Sequence, residues 1–245
     1  MEEKNIYDWT GFEQGLEELG ISLNETQRQQ FQDYYELLTE WNSFMNLTAI
    51  TEFSQVVAKH FLDSLSLVRA VKEETLRGTL IDVGTGAGFP GIPLKIAFPE
   101  LDICLLDSLG KRVKFLQAAI DKLGLEKIKA VHGRAEDYGK HPDYREAFDF
   151  CVSRAVANLN LLGEYCLPFV KTGGRFISYK SGNVKEELKG AEQALKLLGG
   201  KPEETQFFTL SGTDMERSLV CIKKIKPTPK KYPRKAGIPA REPLV

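Results

Sequence analysis

The sequence predicts an α/β fold, a mostly parallel, doubly wound sheet preceded by a block of helices. Three observations carry that expectation. From Thr79 onward, short apolar runs alternate with helical periods, the pattern of strand–helix units wound into a parallel sheet. A glycine-rich turn, Gly84 to Gly91, follows the first of these runs and opens a helix. The first 75 residues, by contrast, repeat their apolar positions at helical spacing.

Trp9, Phe12, Leu16 and Leu19 mark a first helix that Gly20 stops. Ser22-x-x-Glu25 has the form of a capping box ahead of a second, amphipathic helix with its stripe on Phe31, Tyr34, Leu38, Trp41 and Met45. A third helix carries Val57, Phe61, Leu65 and Val68. These aromatics read as core rather than as a ligand cage. Seven strand-like runs follow: 79–84, 102–107, 127–132, 148–153, 174–179, 206–210 and 218–223. Helices are expected over Ile92–Phe98, Lys111–Leu123, Asn158–Val170 and Val184–Leu197. No helix separates the last two runs, which predicts an antiparallel strand closing one edge. The chain thus divides into a helical extension packing on the sheet (1–75), a sheet-bearing domain (76–225) and a basic tail (226–245).

With 245 residues, 42% of them hydrophobic, the chain can build one ordinary domain with an appendage. Its least polar stretch, Gly78 to Phe98, is interrupted by Asp82, Lys95, glycine and proline, so no membrane span is expected. The opening MEEKN lacks the apolar core of a signal peptide, and a soluble cytoplasmic protein is expected. Cys104, Cys151, Cys166 and Cys221 show no CxxC spacing and read as buried, reduced thiols. His60, His132 and His141 are dispersed, so no metal site is expected. Net charge is −1 overall but −9 over residues 1–75 and +7 over residues 223–245. A basic tail on a near-neutral body points either to a polyanionic partner or to an ordinary solvated tail.

The chemistry concentrates at the tips of the parallel strands, where open α/β sheets bind ligands. Asp82-Val-Gly84-Thr-Gly86-Ala-Gly88-Phe89-Pro-Gly91 lets the chain turn sharply and lets a ligand approach the backbone. Gly86-x-Gly88-x-x-Gly91 matches the dinucleotide fingerprint formally, with Asp107 some twenty residues on. That motif, however, normally starts at the end of its strand, where this chain has Gly84. The D-x-G-x-G-x-G arrangement looks instead like the glycine loop of class I S-adenosylmethionine-dependent methyltransferases, which have a Rossmann-like, seven-stranded, mostly parallel sheet. Asp107 is placed to accept hydrogen bonds from ribose hydroxyls, or to cap the next helix. Gly133-Arg134-Ala135-Glu136 is either the adenine-facing turn or a surface loop. Ser153-Arg154-Ala155 ends the fourth strand without the Asn/Asp-Pro-Pro-aromatic sequence common in methylation of exocyclic amines. Cys151 lies inside its strand and is a poor covalent nucleophile. Arg154 and Lys180 stand where a substrate arrives and are candidates for contacts to cofactor, base or phosphate.

Taken together, TEWNSFMNLTAI (39–50), KHFLDSL (59–65), IDVGTGAGFPGIPLKI (81–96), LLDSLGKRVKFL (105–116), GRAED (133–137), SRAVANL (153–159) and YPRKAGIPAREPL (232–244) resemble the ribosomal RNA small-subunit methyltransferase G family, also called glucose-inhibited division protein B. The resemblance implies transfer of a methyl group from S-adenosylmethionine to N7 of a guanine in the 530 loop of 16S ribosomal RNA. Carried over by motif, it implies cofactor contacts at Gly84, Phe89, Ala135, Glu136 and Arg154. Asp82, Gly86, Gly88 and Asp107 complete the expected cofactor set. His60 and Asp63 of KHFLDSL lie three apart on one helix face, and either border the pocket or form a packed pair.

Guanine N7 carries a lone pair and no proton, so this reaction calls for alignment rather than a general base. Affinity for RNA is expected to rest on phosphate contacts, with Lys230, Lys231, Arg234, Lys235 and Arg241 of the tail and Arg134 and Lys180 nearer the site as candidates. The partner is small-subunit ribosomal RNA or the small subunit itself, and nothing demands an oligomer, so a monomer is expected. Two alternatives remain at this stage: an NAD-dependent oxidoreductase, and a non-catalytic RNA-binding protein that keeps the methyltransferase fold.

Overall fold

The computed structural model describes residues 7–72, 76–154 and 157–244. The MEEKN start and Ala155 and Val156 of the SRAVANL string lie outside the described residues.

Helix α1 (Thr10–Leu19) ends at Gly20, whose left-handed φ of 70° closes the last turn. Helix α2 (Glu25–Met45) begins at a capping box, but not at the one expected from Ser22 and Glu25. Asn24 accepts from the Gln27 amide, and the Gln27 side chain accepts in return from the Asn24 amide. The same Gln27 donates through Nε2 to the carbonyls of Ile96 and Ala97, so the pair that caps α2 also docks it on the sheet layer. The third helical stretch is not uniform. A turn of α-helix, α3 (Phe53–Val56), gives way to a π-helical segment over Val57–Leu62, then to α4 (Asp63–Leu65) and a 3-10 turn over Ser66–Arg69.

Strands and helices then alternate: β1 (Gly78–Val83), α5 (Gly91–Ala97), β2 (Leu101–Asp107), α6 (Gly110–Leu123), β3 (Ile128–His132), α7 (Ala135–Tyr138), β4 (Phe148–Arg154), α8 (Leu159–Cys166), β5 (Val170–Ser181) and α9 (Lys185–Leu197). Three antiparallel partners close the sheet: β6 (Gly200–Pro202), β7 (Gln206–Thr209) and β8 (Glu216–Lys224). A short helix, α10 (Ile238–Arg241), follows. The strand order is β3-β2-β1-β4-β5-β8-β6, with β7 beside β6 on the outer edge of β8. The sheet has eight strands rather than seven because that edge is shared by two short strands, and the extra one, β6, has only three residues.

Alternate residues of each central strand feed two cores. Leu80, Ile103 and Leu105 face a cluster with the N-terminal helices, where Phe12, Phe31, Tyr34 and Phe61 are fully buried. Ile81, Cys104 and Leu106 face the other side, with α8, α9 and Tyr232. The N-terminal helices therefore share one core with the sheet. All four cysteines are free and buried. Among the described residues, no helix is long and apolar enough to cross a membrane.

The segment expected as a basic tail is a strap packed across the second face. Lys224 is fully buried and donates to the Leu167 carbonyl and the Thr228 hydroxyl. Arg145 gathers the carbonyls of Gly139, Thr228 and Tyr232. Arg234 makes a forked ion pair with Glu164, itself 1% exposed, at 2.7 Å. Removing one member of such a pair leaves a buried charge without compensation. Arg234→Met should therefore destabilise the protein by about 2–4 kcal/mol. Urea unfolding checks this, and an unchanged midpoint would show that Glu164 finds another partner.

Candidate functional site

The glycine turn leaves β1 through three left-handed residues, Gly84, Gly86 and Gly88, with φ of 73°, 64° and 93°. Two carboxylates hold it. Asp82 Oδ2 accepts from the Thr85 hydroxyl at 2.6 Å and from the Gly91 amide at 2.9 Å, tying the first residue of the motif to the last. A Cβ on Gly91 would stand 2.3 Å from Leu105 Cδ2 and 3.0 Å from Asp82 Oδ2, so the close approach requires glycine. Asp107, at the tip of β2, accepts from the Gly86 amide and from the Leu109 amide, each at 2.9 Å. Arg112 lies 3.5 Å from the same Asp107 carboxylate. Asp107 therefore both braces the loop and receives the start of the α6 segment.

Asp82 is buried, and its Oδ1 has no hydrogen-bond partner. Burial pushes its carboxyl up to about 6, against the lowering effects of the Thr85 and Gly91 hydrogen bonds and of nearby Arg154. Its unpaired oxygen is enclosed at the root of the loop.

Beside the turn lies a cleft walled by Val83 and Gly84 on one side and by Arg134, Ala135 and Glu136 on the other, with Ser153 and Tyr165 at its back. Ser153 donates to the Val83 carbonyl at 2.9 Å and locks the tips of β1 and β4 together. Glu136 is buried and accepts from the Gly237 amide of the strap at 3.1 Å. The strap thus reaches the wall of the cleft.

On the opposite side of the glycine turn, the tip of β4 meets the π-helical segment. Arg154 donates to Asp63 at 2.9 Å and to the Lys59 carbonyl at 3.2 Å. Asp63, 4% exposed, also accepts from Arg217 of β8 at 3.1 Å. Tyr179 donates to the Ser64 carbonyl and Tyr34 to the Ala87 carbonyl, so this helical stretch and α2 are both fastened to the strand tips. π-helical turns inserted into α-helices are frequent at functional sites. His60 is not paired with Asp63. Its Nε2 meets the Thr48 hydroxyl at 2.9 Å, and its ring stacks on Phe89 at 4.5 Å, with the Arg154 guanidinium 5.1 Å over the same Phe89 ring. Burial, and then the charge of Arg154, drives the His60 imidazole down to about 3, so it stays neutral.

The structure brings Gly84, Ala135 and Glu136 to one cleft, with Asp82, Gly86, Gly88 and Asp107 in or against the glycine turn beside it, and gathers His60, Asp63, Phe89 and Arg154 into a second cluster across the loop. Two expectations need correction. Lys180 is not an open cation at the rim, because it donates to the Ala157 carbonyl and pairs with Glu187 at 2.6 Å, with 11% of its side chain exposed. Arg234 is likewise taken up by Glu164 and is not a free phosphate contact. Arg134, Lys230, Lys231, Lys235 and Arg241 are exposed. Sequence reasoning missed Arg217, 154 positions from Asp63, along with Thr48 and Tyr34. Among the described residues, no group of three or more His, Cys, Asp or Glu could hold a metal ion.

Comparison with known proteins bears directly on this arrangement. The family model described as rRNA small subunit methyltransferase G matches residues 27–220. The chain is 59% identical over 238 residues to a ribosomal RNA small subunit methyltransferase G of Lachnoclostridium phytofermentans, covering 97% of this chain and 98% of the relative. It is 54% identical over 232 residues to the protein of the same name from Alkaliphilus metalliredigens, covering 94% and 96%. Among solved structures, a geranyl diphosphate methyltransferase in complex with GPP and sinefungin is similar in fold, with a TM-score of 0.51 at 12% identity, covering 66% of this chain and 76% of the other.

The raised Asp82 carboxyl has a consequence for stability. A folded-state value of about 6 against an ordinary 3.8 means that the folded protein holds the proton more tightly than the unfolded chain. The corresponding stability is present below the ordinary value and is lost as pH rises through about 6. Asp82→Asn should therefore stabilise the ligand-free protein at pH 7.5 by about 1–3 kcal/mol and flatten its stability between pH 4 and 7. Paired urea titrations at low and neutral pH measure this, and an Asn variant weaker at pH 7.5 would refute the assignment.

Proposed function

This chain belongs to the rRNA small subunit methyltransferase G family, and we propose that it transfers the methyl group of S-adenosylmethionine to N7 of a guanine in the 530 loop of small-subunit 16S ribosomal RNA. Family membership makes it an S-adenosylmethionine-dependent rRNA methyltransferase. The observation that carries the site assignment is the glycine turn bound at both ends by buried carboxylates, with one Asp82 oxygen left bare.

The residues present suit this cofactor. It is a cation at sulfur and at its amino group, and three buried carboxylates, Asp82, Asp107 and Glu136, converge on the turn and the cleft beside it. Gly84, Gly86 and Gly88 present backbone without side chains. In this reading Asp107 receives the ribose hydroxyls, and Ala135 and Glu136 receive the adenine. Bound here, the cofactor supplies an electrophilic methyl group. Phe89 and Arg154, stacked with His60, form the partition between the cofactor loop and the substrate side.

Guanine N7 attacks through a lone pair, so no residue has to remove a proton. The neutral His60, bonded to Thr48 and stacked on Phe89, fits that requirement. Arg154 is held by Asp63, which keeps its charge directed away from an atom that becomes positive in the product. What the chain's own groups contribute is alignment, worth orders of magnitude in rate when the reacting atoms are held in line. Arg134, Lys230, Lys231, Lys235 and Arg241 are among the exposed cations available to phosphates. The reading places the enzyme in the cytoplasm as a monomer acting on the small subunit or its RNA.

Incubating the protein with methyl-labelled S-adenosylmethionine and small subunits or 16S RNA should place label at guanine N7 in the 530 loop, mapped by cleavage at 7-methylguanosine. Label on an exocyclic amine, or none, would contradict the proposal. The rate should show no limb that depends on His60, whose imidazole is pushed down to about 3 by burial and by the charge of Arg154. It should fall below about pH 6 as Asp82 takes up its proton and cofactor binding weakens. A limb centred near pH 6.5 that disappears in His60→Gln would assign proton transfer to His60 instead.

A further inference from the structure

The end of α2 and the start of α6 form an exposed aromatic and cationic surface, connected to the glycine turn through Asp107. Phe44 is 65% exposed, the most open large hydrophobic residue described. It lies on the last turn of α2 against Trp41, at 5.6 Å between ring centres, and Trp41 is fixed from beneath by Phe115 of α6 at 5.6 Å. Leu109, 43% exposed, stands beside the same helix start. Two connections tie this surface to the site. Leu109 donates its amide to Asp107, the carboxylate that braces Gly86. On the other side the chain runs from Phe44 to Thr48, whose hydroxyl meets His60, the residue stacked on Phe89.

The charge around these rings is directional. From Ser108 to Ile120 there is no acidic residue, while Lys111, Arg112 and Lys114 crowd the first turns of α6. Lys111 and Lys114 are exposed, and Lys111 reaches the Met45 carbonyl at the end of α2 at 3.5 Å. On α2 itself, Glu36 and Glu40 precede Phe44. A polyanion is therefore repelled along α2 and attracted along α6. An exposed aromatic face bordered on one side by cations fits a single-stranded nucleic acid, whose bases stack while its phosphates follow the positive side.

We infer that Phe44, supported by Trp41, stacks an unpaired base of the substrate RNA while Lys111 and Lys114 hold the adjoining phosphates, so that this surface positions the RNA strand at the mouth of the methyl-transfer site. The inference deepens the proposed function and rests on RNA being the substrate. It makes Phe44 a positioning residue, since it touches neither cofactor nor reacting atom.

The test is steady-state methylation of protein-free 16S RNA, with S-adenosylhomocysteine binding measured in parallel. Phe44→Ala should raise the KM for RNA by about tenfold, in the range alanine substitution gives for one base–aromatic stack. It should leave S-adenosylhomocysteine affinity and thermal stability unchanged, and Phe44→Tyr should restore the KM. Lys111→Gln with Lys114→Gln should lower the slope of log KM against log salt by about 1–2. Trp41 fluorescence should be quenched by a short single-stranded RNA in the wild type and less so in Phe44→Ala. An unchanged KM in Phe44→Ala while the wild type methylates RNA would overturn the inference and leave the proposed function standing. A defect on assembled subunits but not on protein-free RNA would also overturn it, by assigning the surface to a ribosomal protein. No methylation by the wild type would instead strike the proposed function itself.

Discussion

The site depends on a buried carboxylate that the fold does not fully satisfy. Asp82 binds the two ends of the glycine turn through one oxygen and leaves the other without a partner. Burying an acid in this way costs stability, and its raised carboxyl value expresses that cost. A turn designed only to change chain direction would not need it. Groups held in such unfavourable states cluster at functional sites, and in the proposed function this one would face a cationic ligand. Asp107 at the turn and Glu136 at the cleft are buried as well, each bonded to a backbone amide that fixes its orientation.

Around this centre the chain uses distant segments as braces. The π-helical stretch brings Asp63 to Arg154 and Arg217, joining the N-terminal helices to β4 and β8. The strap after β8 returns beneath the cleft, with Arg234 on Glu164 and Gly237 on Glu136. Both termini of the chain therefore contribute to walls that the central sheet cannot supply alone. Beside the glycine turn, His60 and Arg154 both pack on the Phe89 ring.

Much of this was legible in the sequence because it is local. The alternation of apolar runs with helical periods marks the sheet, and the glycine spacing after Asp82 marks the turn. Gly20 ends its helix as its position suggested. What was not legible depended on contacts across the chain. Ser22 and Glu25 have the spacing of a capping box, but Asn24 and Gln27 form it, because only Gln27 is also placed to reach the carbonyls at the end of α5. Lys180 and Arg234 looked like open cations, yet each has a carboxylate partner brought in from a different helix. The three-residue spacing of His60 and Asp63 suggested a pair, but their partners came from β4, β8 and the turn before α3. Residue type and spacing reveal which groups can interact locally. They do not reveal a partner a hundred positions away.

The most direct test of the account is a crystal structure of this protein with S-adenosylhomocysteine. The ligand should lie along Gly84–Gly88, its ribose hydroxyls on Asp107, its adenine against Ala135 and Glu136, and its amino group on the side of Asp82. Density in any other cleft, or a cleft closed by the strap with no binding in solution, would contradict the assignment of the glycine turn as the cofactor cradle.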